Sequence, residues 1–544
     1  MSLNARLIFR SSLLIAAFFG VNKVVALARS IIVARVFGVS PLLDAFNIAN
    51  NLPDLLFALI SGGALAIAFI PVMVTTLNEQ GRDAGWELFS LVGNLVFVVT
   101  AVLALVVAIF AEPIVTAEIG IAPGFGPEQQ ALVIELMRLN LIATLIFSLS
   151  GIVLGGLQAH NHFLLTVLAP IVFNVGQIFG ALVLAPAEFP FFGLPIPTLN
   201  LGVHGLVYGV ILGALLHLGI QLPGLWIYGF RWTPRLSIRH PGVWQVLTLM
   251  APRIIALATF QYSELFRDNL ASRLSEGSVT ALSLGWFIQQ VPQTLIGTAI
   301  ATAMLPTLSM LAASADRTAL NRTLTAAIRA LLVLTLPATV MSWLLVRPAV
   351  RLIFEGGAFL PEDTPLVVFA TQMYLVGLAG HSLLEIASRT FYARKDALRP
   401  TVMAVFGMAL QIGLALWLFR LPWLGFSGLA LANSIAYTTQ AVGLLVWLAM
   451  QFATFDWRSV LLAALQTALA TAAMGIAMWG VLATLPADAL ILQLALGGLA
   501  GGVTFILVAA LLRLNEIYQL PAIIRLVLSR AIPSPTLDAD SPAD

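Results

Sequence analysis

Three basic residues lie in the first long apolar segment of the chain, where a membrane-spanning helix would ordinarily carry none. Lys23, Arg29 and Arg35 follow one another at intervals of six residues, and no acidic residue precedes Asp44. A cation at the bilayer centre costs about 2.5–3.5 kcal/mol on insertion scales. The three cations span about 18 Å along the helix axis. Their side chains therefore cannot all reach water by extending toward one end of the helix. At least one of them must therefore face protein or water rather than lipid.

Two interpretations of these cations stay open. In the first, the helix is tilted, its outer cations reach the aqueous interface, and one cation is buried in an ion pair. In the second, Lys23 and Arg29 line a water-filled, cationic cavity that binds an anion, and Arg267 from a later segment lies on its opposite wall.

A second cluster of charges lies in the predicted seventh helix. Glu264 and Asp268 are four residues apart and Arg267 is three residues from Glu264, so one helix face carries both signs. This face is either a structural salt bridge or part of a proton- or cation-coupled gate. The candidates for gating and ion pairing are Arg35, Glu264, Asp268 and Arg273.

The composition identifies the chain as an integral membrane protein. Its 544 residues are 60% hydrophobic and only 10% charged, whereas soluble domains have about 25% charged residues. The apolar runs are long and continuous, which predicts helices rather than the alternating strands of a barrel. Uncharged stretches, together with charged spans near 8–37, 44–76 and 243–273, predict about fourteen transmembrane helices in an all-α fold.

No constellation of residues indicates catalysis or metal binding. The chain has no cysteine, which excludes disulfides and thiolate metal sites. P-loop, HExxH and GxSxG motifs are absent. We therefore predict a protein that is not an enzyme, with no metal, cofactor or nucleic-acid partner.

The basic residues also predict an orientation. Alternate connections between predicted helices are rich in arginine. In the connections between them, near 112–129 and 185–200, the only charged residues are acidic. By the positive-inside rule, both termini of this multi-pass protein lie in the cytoplasm. The basic connections are 77–86, 231–242, 313–324, 393–399 and 456–458.

The chain is predicted to contain an internal duplication. Arg29 and Arg35 precede one turn, as Arg267 and Arg273 precede another, and later matches keep nearly the same offset of 234–239 residues. An offset of about six helices preserves orientation, so the halves are parallel repeats with a cleft between them. The predicted domains are a six-helix lobe at 1–230, a cytoplasmic linker at 231–242, a six-helix lobe at 243–455, helices 13 and 14 at 456–514, and an interfacial segment with a disordered tail at 515–544.

Several motifs also follow one another in a fixed order along nearly the whole chain. The first is RSIIVARVFGVSPLLDAFNIANNLPDLL; then come AFIPV, IAPGFGPEQQ, LAPIVFN, LASRLSEGSVTALS, VPQTLIGTAIATAMLPTLS, FEGGAF and RTFYARKDALRP. They resemble the MurJ (MviN) lipid II flippases of the MOP exporter superfamily. The resemblance implies fourteen helices in two pseudo-symmetric six-helix lobes plus a C-terminal pair. It also implies transport of a lipid-linked peptidoglycan precursor across the cytoplasmic membrane by alternating access.

The resemblance further implies the site. Arg29 and Asp44 match charged positions that the family uses, and Lys23 stands where many members have arginine. Lys23 and Arg29 would hold the pyrophosphate of an undecaprenyl pyrophosphate-type substrate through charge-assisted hydrogen bonds, while the polyprenyl tail stays among membrane lipids. The predicted substrate-binding residues are Lys23, Arg29, Asp44, Arg253 and Arg267.

The chain departs from the family pattern at three cationic positions and one acidic position. Phe57 and Ala58 replace a basic pair, Phe287 replaces an arginine, and helix 11 has Gln411 but no carboxylate. Coupling ion and exact headgroup are therefore not predicted. The alternatives are a polysaccharide-lipid flippase or multidrug exporter of the same superfamily, a non-transporting membrane scaffold, and a membrane-embedded transferase.

Overall fold

The structure, a computed structural model, describes residues 3–514 except 62, 192, 193, 315 and 452–454, together with residues 516 and 517. For some of these, Arg253 among them, only the backbone is described. Most of the interfacial segment and tail predicted at 515–544 lies outside the described residues.

Helices dominate the first half of the chain, and proline and serine residues define where several of them begin. The Ser40 hydroxyl accepts a hydrogen bond from the Leu43 amide, and Pro41 occupies the first helical turn, so the second helix starts there. The helices are α1 (Leu3–Phe37), α2 (Pro41–Leu56), α3 (Gly63–Glu79), α4 (Arg82–Ile109), α5 (Ala111–Thr116), α6 (Pro127–Ala159), α7 (Phe163–Phe179), α8 (Val203–Gly219) and α9 (Leu222–Ile227).

The first half also contains two described strands, and the second half continues with helices. A short antiparallel hairpin of β1 (Glu188–Phe191) and β2 (Leu194–Pro197) precedes α8, in a segment that the charge pattern predicts only as a connection. The remaining helices are α10 (Pro241–Ala271), α11 (Ser278–Gln293), α12 (Ala299–Ala313), α13 (Arg317–Phe354), α14 (Asp363–Leu375), α15 (Leu378–Ala393), α16 (Leu398–Leu418), α17 (Ser427–Gln451), α18 (Trp457–Thr484) and α19 (Leu490–Leu511).

The helices have the length and apolarity of membrane spans. Within the described residues, 10 helices are long and apolar enough to cross a membrane, or 11 if the bent pair α14 and α15 is one span. The predicted charged spans near 8–37, 44–76 and 243–273 are helical but are not among the 10. The all-α membrane fold is confirmed, and the number fourteen stays a prediction.

Proline residues precede two of the breaks in the long helices. A π-helical turn, Phe57–Ser61, separates α2 from α3 shortly after Pro53, and another, Thr294–Thr298, separates α11 from α12 just after Pro292. Proline removes one backbone donor, so the regular hydrogen-bond ladder cannot continue unchanged. The two turns begin at residues 57 and 294. This separation of 237 residues lies within the predicted repeat offset of 234–239, which supports the duplication.

Glycine residues let α7 and α8 approach closely. A Cβ atom added at Gly176 would lie 2.5 Å from the Gly213 Cα, and one added at Gly180 would lie 2.5 Å from the Gly209 Cα. Spacings of four residues on both helices place these glycines on facing surfaces, the arrangement by which membrane helices pack without large side chains. Helix α7 also packs against α1.

The apolar core is continuous at one end of the molecule and divided at the other. Buried residues near the end of α1, such as Ala34, belong to a cluster that also contains Leu282 and Phe354 from the second half. At the opposite end, Phe89 and Phe391 belong to separate clusters. The first turns of α10 join the first-half cluster there, and α18 and α19 pack on α13 in a fourth cluster.

Candidate functional site

A cavity of about 710 Å³ lies between the two halves of the chain. Helices α1, α2, α6, α7 and α8 form its first-half wall, and α10 and α11 form its second-half wall. It lies toward the end of the molecule where the core is continuous. Its charged and titratable lining residues are Arg29, Asp54, His217, Arg267 and Asp268.

Arg29 faces this cavity from the C-terminal half of α1. Its guanidinium donates a long hydrogen bond of 3.4 Å to Gln177 Oε1 on α7. Among the residues that the structure describes, Arg29 forms no ion pair within 4.0 Å. Because a guanidinium has five donors, most of those on Arg29 remain available to a ligand in the cavity.

Asp54 is an acidic lining residue that the sequence interpretation missed. It lies on α2 directly after the buried Pro53 and is solvent-exposed toward the cavity. Its carboxylate interacts electrostatically with Arg29. An acidic residue in a predicted span is by itself a signal of function, so the sequence contained the information needed to find it.

Arg267 lies in a buried cluster with two carboxylates. Its Nη1 contacts the Glu264 carboxylate, and its Nη2 lies 2.7 Å from Asp268 Oδ1. Asn51 of α2 donates to Asp268 Oδ2 at 2.8 Å, which links the cluster to the first half. The exposed fractions of the Arg267 and Asp268 side chains are 8% and 2%. Arg267 therefore has fewer free donors than Arg29, as a face of mixed charge predicts.

Asp44 lies outside the cavity lining and holds the two halves together instead. Its two oxygens accept hydrogen bonds of 2.7 Å from the backbone amides of Gly277 and Thr280. These amides belong to the N-terminal turn of α11, whose unpaired donors and dipole favour a carboxylate. The role of Asp44 as a direct substrate ligand stays a prediction, since both oxygens already have partners in this conformation.

Three more of the predicted residues, Lys23, Arg35 and Arg273, lie outside the cavity lining. Lys23 is exposed and is not part of the lining, and the Arg253 side chain lies outside the described residues. Arg35 donates to the Ile353 carbonyl at 2.9 Å, and Arg273 pairs with Glu118 at 2.8 Å. All of these substrate-binding and gating assignments stay predictions.

Amide side chains form one wall of the cavity. Asn47, Asn51 and Asp54 follow one another at helical spacing on α2, so they share the face that meets the cavity. Asn47 donates to Thr280 Oγ1 at 3.2 Å. Asn140 of α6 donates to Asn50 Oδ1 at 2.8 Å, while its own carbonyl oxygen is buried without a hydrogen-bond partner in the described structure.

Aromatic side chains form the adjoining wall. The ring centroid of Phe147 lies 5.0 Å from that of Phe57 and 5.0 Å from that of Phe173. Phe287 and Trp286 of α11 also line the cavity. Phe57 and Phe287 are positions at which the resemblance leads one to expect cations.

The cavity is charge-balanced rather than cationic. Among the lining residues that the structure describes, Arg29 and Arg267 are offset by Asp54 and Asp268. The described lining residues therefore carry no net positive charge, unlike the cationic cavity of the second interpretation. Two of these groups are paired with each other, so the unpaired groups are one cation and one carboxylate.

Comparisons with known proteins agree with one another. The family model described as lipid II flippase MurJ matches residues 33–509. A lipid II flippase MurJ from Burkholderia cenocepacia is 30% identical over 434 residues, which cover 79% of this chain and 81% of that protein. A probable lipid II flippase MurJ from Haemophilus influenzae is 27% identical over 478 residues, covering 84% of this chain and 89% of that protein.

Solved structures show the same fold. A structure described as lipid II flippase MurJ in an inward closed conformation has a TM-score of 0.75 at 22% identity, covering 94% of this chain and 99% of that one. An inward-facing multidrug resistance MATE family transporter of the MOP superfamily has a TM-score of 0.65 at 17% identity, covering 80% of this chain and 95% of that one.

Proposed function

The chain belongs to the lipid II flippase MurJ family, and from that premise we propose that it moves lipid II, a lipid-linked peptidoglycan precursor, across the bacterial cytoplasmic membrane. It is a multi-pass membrane protein, and we propose a transporter rather than an enzyme. The observation that carries the proposal is an arginine without an ion-pair partner among the described residues, facing a cavity between two helical halves.

The chemistry of the cavity suits such a substrate. The polar headgroup of lipid II loses its water on entering hydrocarbon, at a cost of several kcal/mol per uncompensated group, on the order of 2–7. Arg29 offers charge-assisted hydrogen bonds to the pyrophosphate. The wall of amide side chains, which includes Asn47, Asn51 and Asn140, offers hydrogen-bond donors and acceptors to the sugar and peptide. The undecaprenyl-type tail remains among the membrane lipids. Lys23 and Arg253 remain predicted contacts.

Alternating access accounts for how the headgroup crosses. We propose that both termini are cytoplasmic, so the end with the continuous core faces the periplasm. The Asp44 contacts with α11 then hold the periplasmic side closed. Opening that side while the other closes would carry the headgroup across, because a ligand bound in the cavity can shift the population between the two states.

Growth complementation tests the proposal. In a strain depleted of its own lipid II flippase, we expect the wild-type chain to restore growth and Arg29→Ala to fail at equal membrane abundance. The matched control is Arg347→Ala, which removes an exposed cation of α13 outside the cavity. A headgroup-accessibility assay on the same cells should show lipid II reaching the outer leaflet only with the active variants.

Two results would contradict the proposal. Absence of growth with the abundant wild-type chain would remove lipid II as its substrate. Full growth with Arg29→Ala would remove Arg29 from the binding site. A second candidate, export of a different lipid-linked saccharide by a related mechanism, is favoured by the charge balance of the cavity and by Phe57 and Phe287. Failed complementation by a well-folded protein would favour it.

A further inference from the structure

Asp54 places an unpaired carboxylate in the substrate cavity. It is exposed to the cavity and has neither a hydrogen bond nor an ion pair through its side chain within the described part of the chain. The charged and titratable residues that line the cavity with it are Arg29, His217, Arg267 and Asp268. Arg267 and Asp268 contact each other, and His217 is bound to Ser150 at 2.6 Å. Among the described lining residues, only Arg29 remains as an electrostatic partner of Asp54, and it lies beyond ion-pair distance.

A second acceptor in the same cavity also lacks a donor. The Asn140 side chain is buried, and its carbonyl oxygen has no hydrogen-bond partner among the described residues. One turn further along α6, the Thr144 hydroxyl lies 3.4 Å from the carbonyl of Pro53, the residue before Asp54. The free oxygen and the free carboxylate therefore belong to the same α2–α6 contact. Buried acceptors without donors are uncommon in proteins. The Asn140 oxygen lacks a donor among the described residues, and the exposed Asp54 carboxylate offers a second acceptor in the same cavity.

The aromatic wall adds a third feature on the same side. Phe57 lies three residues after Asp54 on the same helical path, and its ring contacts Phe147 of α6. The faces of aromatic rings carry partial negative charge and attract cations. At the positions where the family has a basic pair, this chain has an aromatic ring and an alanine, with a carboxylate three residues earlier. The local preference is therefore for a cation.

We propose that Asp54, assisted by Asn140 and the face of Phe57, binds a primary ammonium group on the transported headgroup while Arg29 binds its phosphate. The inference rests on the proposed function and refines its substrate: a lipid-linked pyrophosphate whose peptide carries a free amine. An ammonium has three donors, which suits one carboxylate and neighbouring amide oxygens. A metal ion fits less well, because no group of three or more metal-ligating side chains exists among the described residues.

Binding measurements on the purified full-length protein in lipid nanodiscs test this site. The probes are lipid II with a free primary amine on its peptide and the same lipid after acetylation of that amine. We expect the wild-type protein to bind the amine form about tenfold more tightly, as one charge-assisted contact predicts. Asp54→Asn should bind the amine form as weakly as the acetylated one, and Asp54→Asn should fold normally because the carboxylate accepts no hydrogen bond in the described structure.

Two controls separate this site from the rest of the cavity. Asp83→Asn removes an exposed carboxylate at the start of α4, outside the cavity, and should keep the tenfold preference. Arg29→Ala should weaken binding of both lipids by a similar factor, because both retain the pyrophosphate.

The outcomes also separate this inference from the function on which it rests. If Asp54→Asn keeps the preference for the amine, or binds both lipids more tightly by one common factor, Asp54 is only a counter-charge to Arg29 and the inference is overturned. If the wild-type protein binds both lipids equally, the inference is again overturned while the proposed function stands. If it binds neither lipid, the proposed function fails and the inference fails with it.

Discussion

At the scale of single residues, the cluster of Glu264, Arg267 and Asp268 shows how a charge becomes tolerable inside a membrane protein. The Arg267 guanidinium contacts both carboxylates, and Asn51 satisfies the second oxygen of Asp268. A buried ion pair is seldom more stable than an apolar replacement, yet removing one member leaves an uncompensated charge. Substitution of one member of the cluster should therefore lower the stability of the fold strongly. Simultaneous replacement of all three charges should lower it much less.

Substitution of the central cation tests this view. Arg267→Met leaves two buried carboxylates without a cation, and we expect the free energy of unfolding to fall by about 3–5 kcal/mol. The triple variant Glu264→Gln, Arg267→Met, Asp268→Asn should regain most of that loss, since no charge remains and the Asn51 contact is kept. Denaturant unfolding in detergent micelles measures both. Equal stability of Arg267→Met and the wild-type protein would disprove a role for the ion pairs in the fold.

At the scale of helices and turns, the end of the molecule with the continuous core is held by backbone groups at helix ends. Asp44 of α2 accepts hydrogen bonds from the first amides of α11. The Ala358 amide donates to the Arg35 carbonyl at 2.7 Å, which ties the loop after α13 to the end of α1. Contacts of this kind depend on close approach of two turns, and glycine makes that approach possible.

Gly277 is the position at which this closure is most easily tested. Its φ of +80° is costly for residues with a side chain, and an added Cβ would lie 2.4 Å from Val39 Cγ1 in the first half. We expect Gly277→Ala to weaken the contact and to open the side that we propose is periplasmic. Because the chain has no native cysteine, Ser283→Cys in the cavity can report accessibility to an impermeant maleimide, and labelling should rise several-fold.

A matched glycine provides the control for backbone strain. Gly425 also has a positive φ, of +50°, but a Cβ there would meet nothing within 4 Å. Gly425→Ala in the Ser283→Cys background should therefore leave labelling unchanged. An equal rise in labelling for both alanine variants would mean that strain alone, rather than the contact with Val39, controls access. No rise for Gly277→Ala would contradict its role in the closure.

At the scale of the whole molecule, the cavity combines walls of different character. Arg29 and the wall of amide side chains offer hydrogen bonds, and the aromatic wall offers ring faces. The charges of the lining residues that the structure describes sum to zero. A neutral cavity attracts a dianionic group less strongly than a cationic one. Affinity for a bare pyrophosphate should consequently be limited by Arg29 alone.

Restoring a cation at a family position tests the effect of this charge balance. Phe287→Arg adds a guanidinium to the α11 wall, and we expect it to bind undecaprenyl pyrophosphate about tenfold more tightly than the wild-type protein, as one added charge-assisted hydrogen bond predicts. Phe287→Gln adds polarity without charge and should change the affinity little. Measurements at low and high salt should show the gain shrinking as ions screen it. An unchanged affinity for Phe287→Arg would show that Phe287 does not face the bound phosphate.

The sequence by itself determined the features that depend on neighbouring residues along the chain. Apolar runs predicted an all-α membrane fold, and the spacing of Glu264, Arg267 and Asp268 placed both signs of charge on one helix face, where the structure pairs them. The break after Pro292 likewise lies next to a residue type that interrupts helices. These features follow from hydropathy, helical periodicity and the missing donor of proline, which act within a few turns of one helix.

Only the tertiary structure decided which charges meet across the two halves. In the structure, Asp54 and Arg29 line the same cavity, and Lys23 lies outside its lining. The two oxygens of Asp44 accept hydrogen bonds from backbone amides at the start of α11. Such pairings depend on how each helix is rotated and how closely turns far apart in the chain approach one another. That geometry is set by packing, here by contacts such as those of the α7–α8 glycines, and no spacing within a single helix encodes it.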